Sequence, residues 1–449
     1  MYQNRRDFIK KSSLAFAGSS AAFLFPMELL ATMRKPVGAN DQINIGLIGC
    51  NGMGFSDLSS MLKISQTNVI ALCDVDENVL KARTADLEKA GIKKPMWYRD
   101  YRKLLENKDI DVVIIGTPDH WHCLMLTDAL QAGKDAYCEK PIANSIQESD
   151  IMLNYVNSSD RMVQVGQWQR SQPHFVDAID FVHSGKLGNI RLAKAWAYQG
   201  WMKPVPVMPD TTAPEGVNYK MWLGPAPERP FNANRFHFNF RWFWDYAGGL
   251  MTDWGVHMLD YALYGMKAGT PKSVMALGGK FAYPDDASET PDTLQTVYEY
   301  DKFSILWEHA TGIDGGNYGR NHGVAFIGNT GTLVVDRNGW EIIPEEEFQG
   351  WGKEGIPKMK AQSHGTGGES GLDLHTVNFI EAVKSRDASM LNAPIKVGYD
   401  AAVVSHMGNA AFKTGNRIYW DETAREFKQK EANQYLKANY QNGWKLPML

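Results

Sequence analysis

The chain has 449 residues, 44% hydrophobic and 22% charged, with a formal net charge of −4. This is a globular composition, long enough for two domains with full cores, and its acidic balance argues against a nucleic-acid partner. The four cysteines, Cys50, Cys73, Cys123 and Cys138, fall in the first half without CxxC spacing. They read as buried thiols rather than a disulfide framework.

Arg5-Arg6-Asp7-Phe8-Ile9-Lys10-Lys11 is a basic head, and Leu14 to Phe25 is an apolar run softened by Ala, Gly and Ser. Twelve residues are too few to span a bilayer, so the segment reads as a signal peptide over 1–39, with Val37-Gly38-Ala39 as a cleavage site. The paired arginines resemble a twin-arginine export signal, with Asn4 where Ser or Thr is usual. The expectation is a periplasmic protein without a stable membrane anchor; a basic amphipathic helix on a cytoplasmic protein is the alternative. Removal of this segment takes away six Lys/Arg and two Asp/Glu, leaving −8.

Ile43 to Gly49 is an apolar strand, and Gly49-Cys50-Asn51-Gly52-Met53-Gly54 follows at once, before a helical pattern through Leu58, Met61 and Leu62. Strand, glycine-rich turn and helix in that order are the context for a dinucleotide. Asn51 stands at the second glycine of the pattern and adds bulk where the phosphate approaches; Gly52 takes over part of that role. The next strand ends at Asp74, where an acid accepts from ribose hydroxyls and repels a 2′-phosphate, so NAD is expected rather than NADP, with Asp76 the rival acid. Asp111 to Gly116 then runs into Thr117-Pro118-Asp119-His120-Trp121-His122, and Asp135 to Cys138 into Glu139-Lys140-Pro141. His120 and His122, with Asp119 and Cys123, do not complete a metal-ligand spacing, so packing and cofactor contacts are expected and no metal. The alternation predicts a doubly wound parallel sheet over 41–165.

The second domain, expected over 166–425 with a tail at 426–449, opens on Gln167-Trp168-Gln169-Arg170 and a helix through Phe175, Ile179 and Val182. Thirteen aromatics lie between Trp196 and Tyr246, a density that serves sugar stacking or core packing, with Arg241 or His237 available to hydroxyls. Gly248-Gly249 leads into a helix that Thr252 or Asp253 is placed to cap. Asp253 and His257, four apart, then share one face, so the carboxylate fixes the imidazole tautomer for acid/base work. Thr293 to Tyr300 and Phe303 to Thr311 flank the two-residue loop Asp301-Lys302, and strands also flank Asn329-Thr330-Gly331. A mostly antiparallel sheet follows.

Four of these motifs occur in order: the glycine turn, Thr117-Pro118 with His122, Glu139-Lys140-Pro141, and Asp253-Trp254-Gly255-Val256-His257. Together they resemble the glucose-fructose oxidoreductase / inositol dehydrogenase (Gfo/Idh/MocA) family over roughly residues 41–425. The resemblance implies a Rossmann domain, a second α/β domain whose large open sheet pairs subunits into a dimer or tetramer, and nicotinamide-dependent chemistry on a sugar or polyol. It implies that Lys140, Asp253 and His257 are catalytic and that His375 is returned towards the site. The candidate cofactor contacts are Gly49, Asn51, Gly52, Met53, Gly54, Asp74, Thr117, Pro118, His122, Glu139 and Lys140; those for substrate are Gln169, Arg170, Arg241 and Trp254. Some relatives are glycosidases that use NAD transiently for oxidation and elimination, which is the alternative activity; a sugar-binding pseudoenzyme is a third. Export of a nicotinamide enzyme implies that NAD is bound beforehand and held tightly.

Overall fold

Short apolar runs alternate with helices from residue 43 onward, and each run becomes a parallel strand. The structure is a computed structural model that describes residues 42–448; the expected signal peptide lies outside the described residues. The order is β1 (Ile43–Ile48), α1 (Gly52–Met61), β2 (Thr67–Cys73), α2 (Glu77–Lys89), β3 (Met96–Tyr98) and α3 (Tyr101–Leu105). Then come β4 (Val112–Ile115), α4 (Asp119–Gln131), β5 (Asp135–Cys138), α5 (Ile146–Asn157) and β6 (Val163–Val165). The six strands form one parallel sheet ordered β3-β2-β1-β4-β5-β6. Val112, Val113, Ile114 and Ile115 are fully buried, as a strand covered by helices on both faces requires. Strand order reverses between β1 and β4, so the turns after Ile48 and Ile115 open a crevice at the carboxyl edge.

Past this sheet, α6 (Pro173–His183) leads to β7 (Leu192–Gln199), then to an excursion over residues 200–249 that carries α7 (Tyr219–Leu223). It is followed by α8 (Leu250–Asp253), α9 (Gly255–Met266), β8 (Ser273–Gly279), β9 (Thr293–Glu299), β10 (Ser304–Thr311), β11 (His322–Ile327), β12 (Gly331–Asp336) and β13 (Gly339–Pro344). A short pair, β14 (Glu346–Glu347) and β15 (Ile356–Pro357), precedes β16 (Gln362–Gly365), α10 (Gly371–Ser385), α11 (Ile395–Thr414), β17 (Ile418–Asp421) and β18 (Glu426–Phe427). Ten of these strands form a second sheet, ordered β16-β13-β12-β11-β7-β10-β9-β8-β17-β18. β7 and β10 run parallel in it and the other neighbours antiparallel. The Asp301-Lys302 turn closes as expected, with Tyr300 N donating to Phe303 O at 3.0 Å. One face packs on α9 and α11, where Trp307, Tyr298 and Phe326 meet Leu259, Tyr261 and Met407 in the core. On β8 and β9, Met275, Leu277 and Val297 stay exposed.

Three crossings tie the two halves together. Most aromatics of the excursion pack on one another, with Trp222, Phe231, Phe236, Phe240, Trp242 and Tyr246 forming a separate core, while Trp201 and Phe238 remain exposed. This excursion rests on the carboxyl edge of the first sheet: Asn218 N donates to Val75 O at 2.8 Å, and His237 Nε2 lies 3.0 Å from Asp76 Oδ2. α10 returns to α1, where Ser60 Oγ donates to Asp373 Oδ1 at 2.6 Å and Phe379 and Ile380 join the core of β1 and β2. Finally, the stretch beyond Gln429 crosses back over α4 and α5. Tyr440 donates to Glu148 Oε1 at 2.8 Å, Trp444 stacks edge-on against Trp121 at 4.9 Å, and Tyr155 donates to Met448 O at 2.5 Å.

Candidate active site

The glycine turn after β1 is built for close approach. Gly49 has φ +84° and Gly52 φ +50°, while Asn51 between them is extended and turns its Oδ1 to Arg83 Nη2 at 3.2 Å. The bulk expected from Asn51 is therefore directed away by Arg83, and Gly52 takes the left-handed conformation. A Cβ on Gly54 would stand 2.3 Å from Gly49 O, so only glycine lets α1 seat this tightly. No side chain caps α1 and no acid occupies its first turn, which leaves its N–H groups and positive pole open beside exposed Asn51 and Gly52. Half-buried Asp74 accepts from Cys50 N at 2.8 Å and from Asp76 N at 2.9 Å, which fixes its carboxylate at the strand tip. The rival Asp76 is committed to capping α2 and to His237. An open helix terminus, a glycine cradle and an acid at the tip of β2 fit a dinucleotide.

Thr117 and Pro118 follow β4 and line the same crevice, partly exposed. Buried His122 joins the two loops instead of facing outward: Nδ1 is 2.7 Å from Pro141 O, and Nε2 is 2.8 Å from Thr117 O. Burial holds its pKa down to about 4, so the ring is neutral, donates to one of these two carbonyls and packs between Thr117 and Pro141. All four cysteines are free and buried, as the composition implied.

At the end of β5, Lys140 reaches across the crevice. Its Nζ donates to Asp253 Oδ1 at 2.9 Å and to Asp253 O at 3.2 Å, and Arg241 Nε donates to the same Oδ1 at 3.2 Å. Burial alone would raise the Asp253 carboxyl, but the two cations overcome it and hold the pKa at about 2. Glu139 Oε2 accepts from Lys140 N at 3.1 Å, its Oε1 has no partner among the described residues, and burial pushes the group up to about 7. Asp119, at the start of α4, belongs to the same cluster. Burial pushes it up to about 8 although the charges of Arg241 and Lys140 pull it down, so it keeps its proton at neutral pH. The sequence reading weighed Asp119 only as a metal ligand; its place directly after Thr117-Pro118 was the available signal.

The Asp253–His257 pairing does not form. The helix breaks at Trp254, α8 ending on Asp253 and α9 starting at Gly255, and neither start has a side-chain cap, so Thr252 and Asp253 do not cap either one. The Asp253 carboxylate is spent on Lys140 and Arg241, and His257 has no hydrogen-bond partner among the described residues. Burial, Lys140, Arg337 and His322 keep His257 well below the usual imidazole range, hence neutral. The Arg337 guanidinium lies over Trp168 at 4.8 Å and Trp254 at 4.6 Å, and Trp254 meets His322 at 5.0 Å. Arg337 Nε and His322 Nε2 are buried without hydrogen-bond partners among the described residues. Sequence reasoning missed both residues, although Asp336-Arg337-Asn338-Gly339 reads as a hairpin turn.

Among the expected substrate contacts, Arg241 and Trp254 stand in this cluster and Gln169 presents a buried amide with neither end bonded. Arg170 does not stand free. Its Nε and Nη2 are taken by Asp260, at 2.9 and 2.6 Å, and its guanidinium covers Tyr264 at 4.1 Å. His375 is likewise occupied, with Nδ1 2.6 Å from Ser171 Oγ and Nε2 2.9 Å from Val165 O; it pins α10 to β6 rather than joining Lys140.

The chain matches two family models. The oxidoreductase-family NAD-binding Rossmann fold of Gfo/Idh/MocA covers residues 43–167, and the family's C-terminal alpha/beta domain covers 179–308, together more than half of the chain. A curated relative, "Glycosyl hydrolase family 109 protein 2" of Shewanella sp. (strain ANA-3), is 31% identical over 159 residues, 32% of this chain. The match spans about a third of that relative's length (35%). Among solved structures, levoglucosan dehydrogenase in complex with NADH and levoglucosan superposes with a TM-score of 0.62 at 18% identity, over 84% of this chain and 99% of that one. The aldose-aldose oxidoreductase from Caulobacter crescentus gives 0.60 at 17%, over 84% and 100%. Both share the fold. The first domain is thus an NAD-binding Rossmann domain, and the chain belongs to the Gfo/Idh/MocA family of NAD-binding oxidoreductases.

Proposed function

We propose that this protein transfers hydride between NAD and a hydroxyl carbon of a sugar, polyol or glycoside. The observation that carries this reading is the Lys140–Asp253 ion pair, set across the crevice from the dinucleotide cradle and beside a neutral, unpartnered His257. Bound NAD would supply the hydride acceptor. Lys140, held in place by an Asp253 that stays ionised, polarises the substrate oxygen and stabilises developing alkoxide. His257, kept neutral by burial and by the nearby cations, accepts the hydroxyl proton. Gln169, Arg241 and Trp254 contact the substrate, while Arg170 and His375 act as structural residues. Carbohydrate is favoured because the neighbouring structures named above act on sugars, and because Trp201, Phe238 and Trp254 offer partly exposed aromatic faces. The test is reduction of NAD by a panel of sugars, polyols and glycosides, with Lys140→Ala and His257→Ala as controls.

A second reading is favoured by the likeness to glycosyl hydrolase family 109 proteins. In it the same residues serve a glycoside hydrolase that oxidises its substrate transiently, eliminates the aglycone, adds water and restores the hydroxyl. Aryl glycosides separate the two: aglycone release without net NADH accumulation marks the hydrolase.

We also propose that residues 1–39 direct export and that NAD is bound beforehand and retained. The excursion over 200–249, fastened to Val75 and Asp76 at the edge of the cradle, supports retention. Exposed Met275, Leu277 and Val297 support pairing of copies through the large sheet into a dimer or tetramer.

A further inference from the structure

The turn between β12 and β13 carries a cation that no carboxylate among the described residues balances. The Arg337 guanidinium lies over Trp168 at 4.8 Å and over Trp254 at 4.6 Å, and it makes no hydrogen bond or ion pair among those residues. The acids that could answer it are committed elsewhere. Its chain neighbour Asp336 accepts from Arg320 Nη1 at 2.7 Å and from Asn338 N at 2.8 Å. Asp253, whose charge Arg337 does feel, is held by Lys140 and Arg241. Burial draws the Arg337 pKa down to about 10, which still leaves the group charged at neutral pH. A desolvated guanidinium without a counter-ion is costly for a fold to keep, so its partner is expected from outside the chain.

Direct contacts join Arg337 to the reaction centre. The Trp254 indole that it covers also meets the His257 ring edge-on at 6.3 Å and His322 at 5.0 Å. Burial, then the charges of Lys140 and Arg337, hold His257 neutral, and His322 is neutral too, so neither ring supplies a counter-charge. Lys140, Arg241 and Arg337 therefore face one fully ionised carboxylate, Asp253; Asp119 keeps its proton, and Glu139, at about 7, is partly ionised. The excess positive charge at Lys140 meets the alkoxide that develops during reaction. That of Arg337 stands before any reaction begins, so it matches a permanent negative charge on the substrate. The planar fork of an arginine pairs bidentately with a carboxylate, and one guanidinium balances a monoanion but not a phosphate dianion.

The geometry points to an acidic sugar as the substrate: a uronate, free or as a glycoside, whose carboxylate is taken by Arg337 and whose reacting hydroxyl lies at Lys140 and His257. Trp168 and Trp254 hold the guanidinium in place, and Arg337 sets specificity rather than moving a proton. This rests on the carbohydrate reading of the site and narrows its substrate class.

The experiment uses the full chain with NAD and matched pairs of sugars: methyl glucoside with methyl glucuronide, and methyl galactoside with methyl galacturonide. Glucose 6-phosphate is the phosphate comparator. Wild-type protein is expected to favour a uronide over its neutral partner by about tenfold or more in kcat/KM. Arg337→Gln brings that ratio to within about twofold, through KM, and Arg337→Lys, which keeps the charge but not the fork, leaves an intermediate ratio. If Arg337→Gln does not fold, the wild-type ratio and Arg337→Lys carry the test. No uronide preference in wild type, an undiminished one in a folded variant, or a preference for the phosphate ester overturns the assignment. Calorimetry on the NAD-loaded protein separates this idea from the activity. Uronide binding about tenfold tighter than that of the neutral partner, lost in the variant, with no substrate oxidised or cleaved, upholds the carboxylate site and rejects the activity. Turnover of neutral sugars with uronides bound no better, or no uronide binding at all, rejects the carboxylate site.

Discussion

Lys140 and Asp253, separated by 113 positions, meet at 2.9 Å, and Arg241 closes on the same carboxylate oxygen from the second domain. One carboxylate is thus shared by two cations, leaving a net positive charge at the mouth of the crevice, and it couples the parallel sheet to the helix carrying His257. Replacing Lys140 by Ala is expected to lower turnover by about 10²–10⁴-fold, and His257→Ala by a similar factor, with NAD still bound. Steady-state rates alongside cofactor content check this; near-full activity in either variant removes its residue from the chemistry.

Asp253→Asn leaves Lys140 and Arg241 facing each other uncompensated. The folded pKa of about 2 lies below the unfolded value of about 3.9, so this carboxylate adds stability above pH 4, lost as pH falls through 2. The contribution is about 2 kcal/mol, and urea melts at pH 6 should show Asp253→Asn less stable by at least that amount. An unchanged midpoint would falsify the pairing.

Asp119 has the opposite sign. Its folded pKa of about 8 exceeds the unfolded value, so the stability it lends is complete below pH 4 and drains away as pH rises through 8. Asp119→Asn is therefore expected to outlast wild type increasingly between pH 5 and 8, by up to about 1.4 kcal/mol per pH unit. Thermal melts of both proteins across that window decide it; parallel curves mean that Asp119 is ionised throughout.

The Arg170–Asp260 pair gives a contrasting prediction. Truncating Arg170 to Ala strands a carboxylate that is 3% exposed, at a cost of about 3–5 kcal/mol. Chemical denaturation should register that loss, while KM at a temperature where the variant is folded stays near wild type. A large rise in KM without loss of stability would return Arg170 to the substrate.

Gly54→Ala places a methyl 2.3 Å from Gly49 O and forces the phosphate turn open. Wild-type protein is expected to keep NAD(H) through prolonged dialysis, and the variant to emerge without it while its circular dichroism is preserved. Mass and absorbance analysis of both preparations provides the measurement. Cofactor washing out of wild type within minutes would end the retention proposal.

Much of this was legible in the chain itself. The short β-branched run Val112–Ile115, bounded by Asp111 and Gly116, marks a buried strand, and Gly49, Gly52 and Gly54 answer to backbone constraints that spacing reveals. The Lys140 cluster was readable as membership but not as wiring. Helical spacing placed Asp253 with His257, whereas Lys140 from the first domain and Arg241 from the loop before α8 claimed the carboxylate. Arg170 and His375 carry no local mark of their partners, because Asp260 and Val165 reach them only through the tertiary fold. Arg337 and His322 were invisible for the same reason: they come to Trp254 from strand ends far along the chain, and periodicity says nothing about which ends converge.

The segment that crosses back over α4 and α5 imposes an order on biosynthesis. Trp121, Tyr155 and Glu148 receive Trp444, Met448 O and Tyr440 only after the whole second domain has been made. The nucleotide-binding half, made first, therefore keeps an uncovered apolar seam over α4 and α5 until residues 440–448 have been synthesised and folded back onto it.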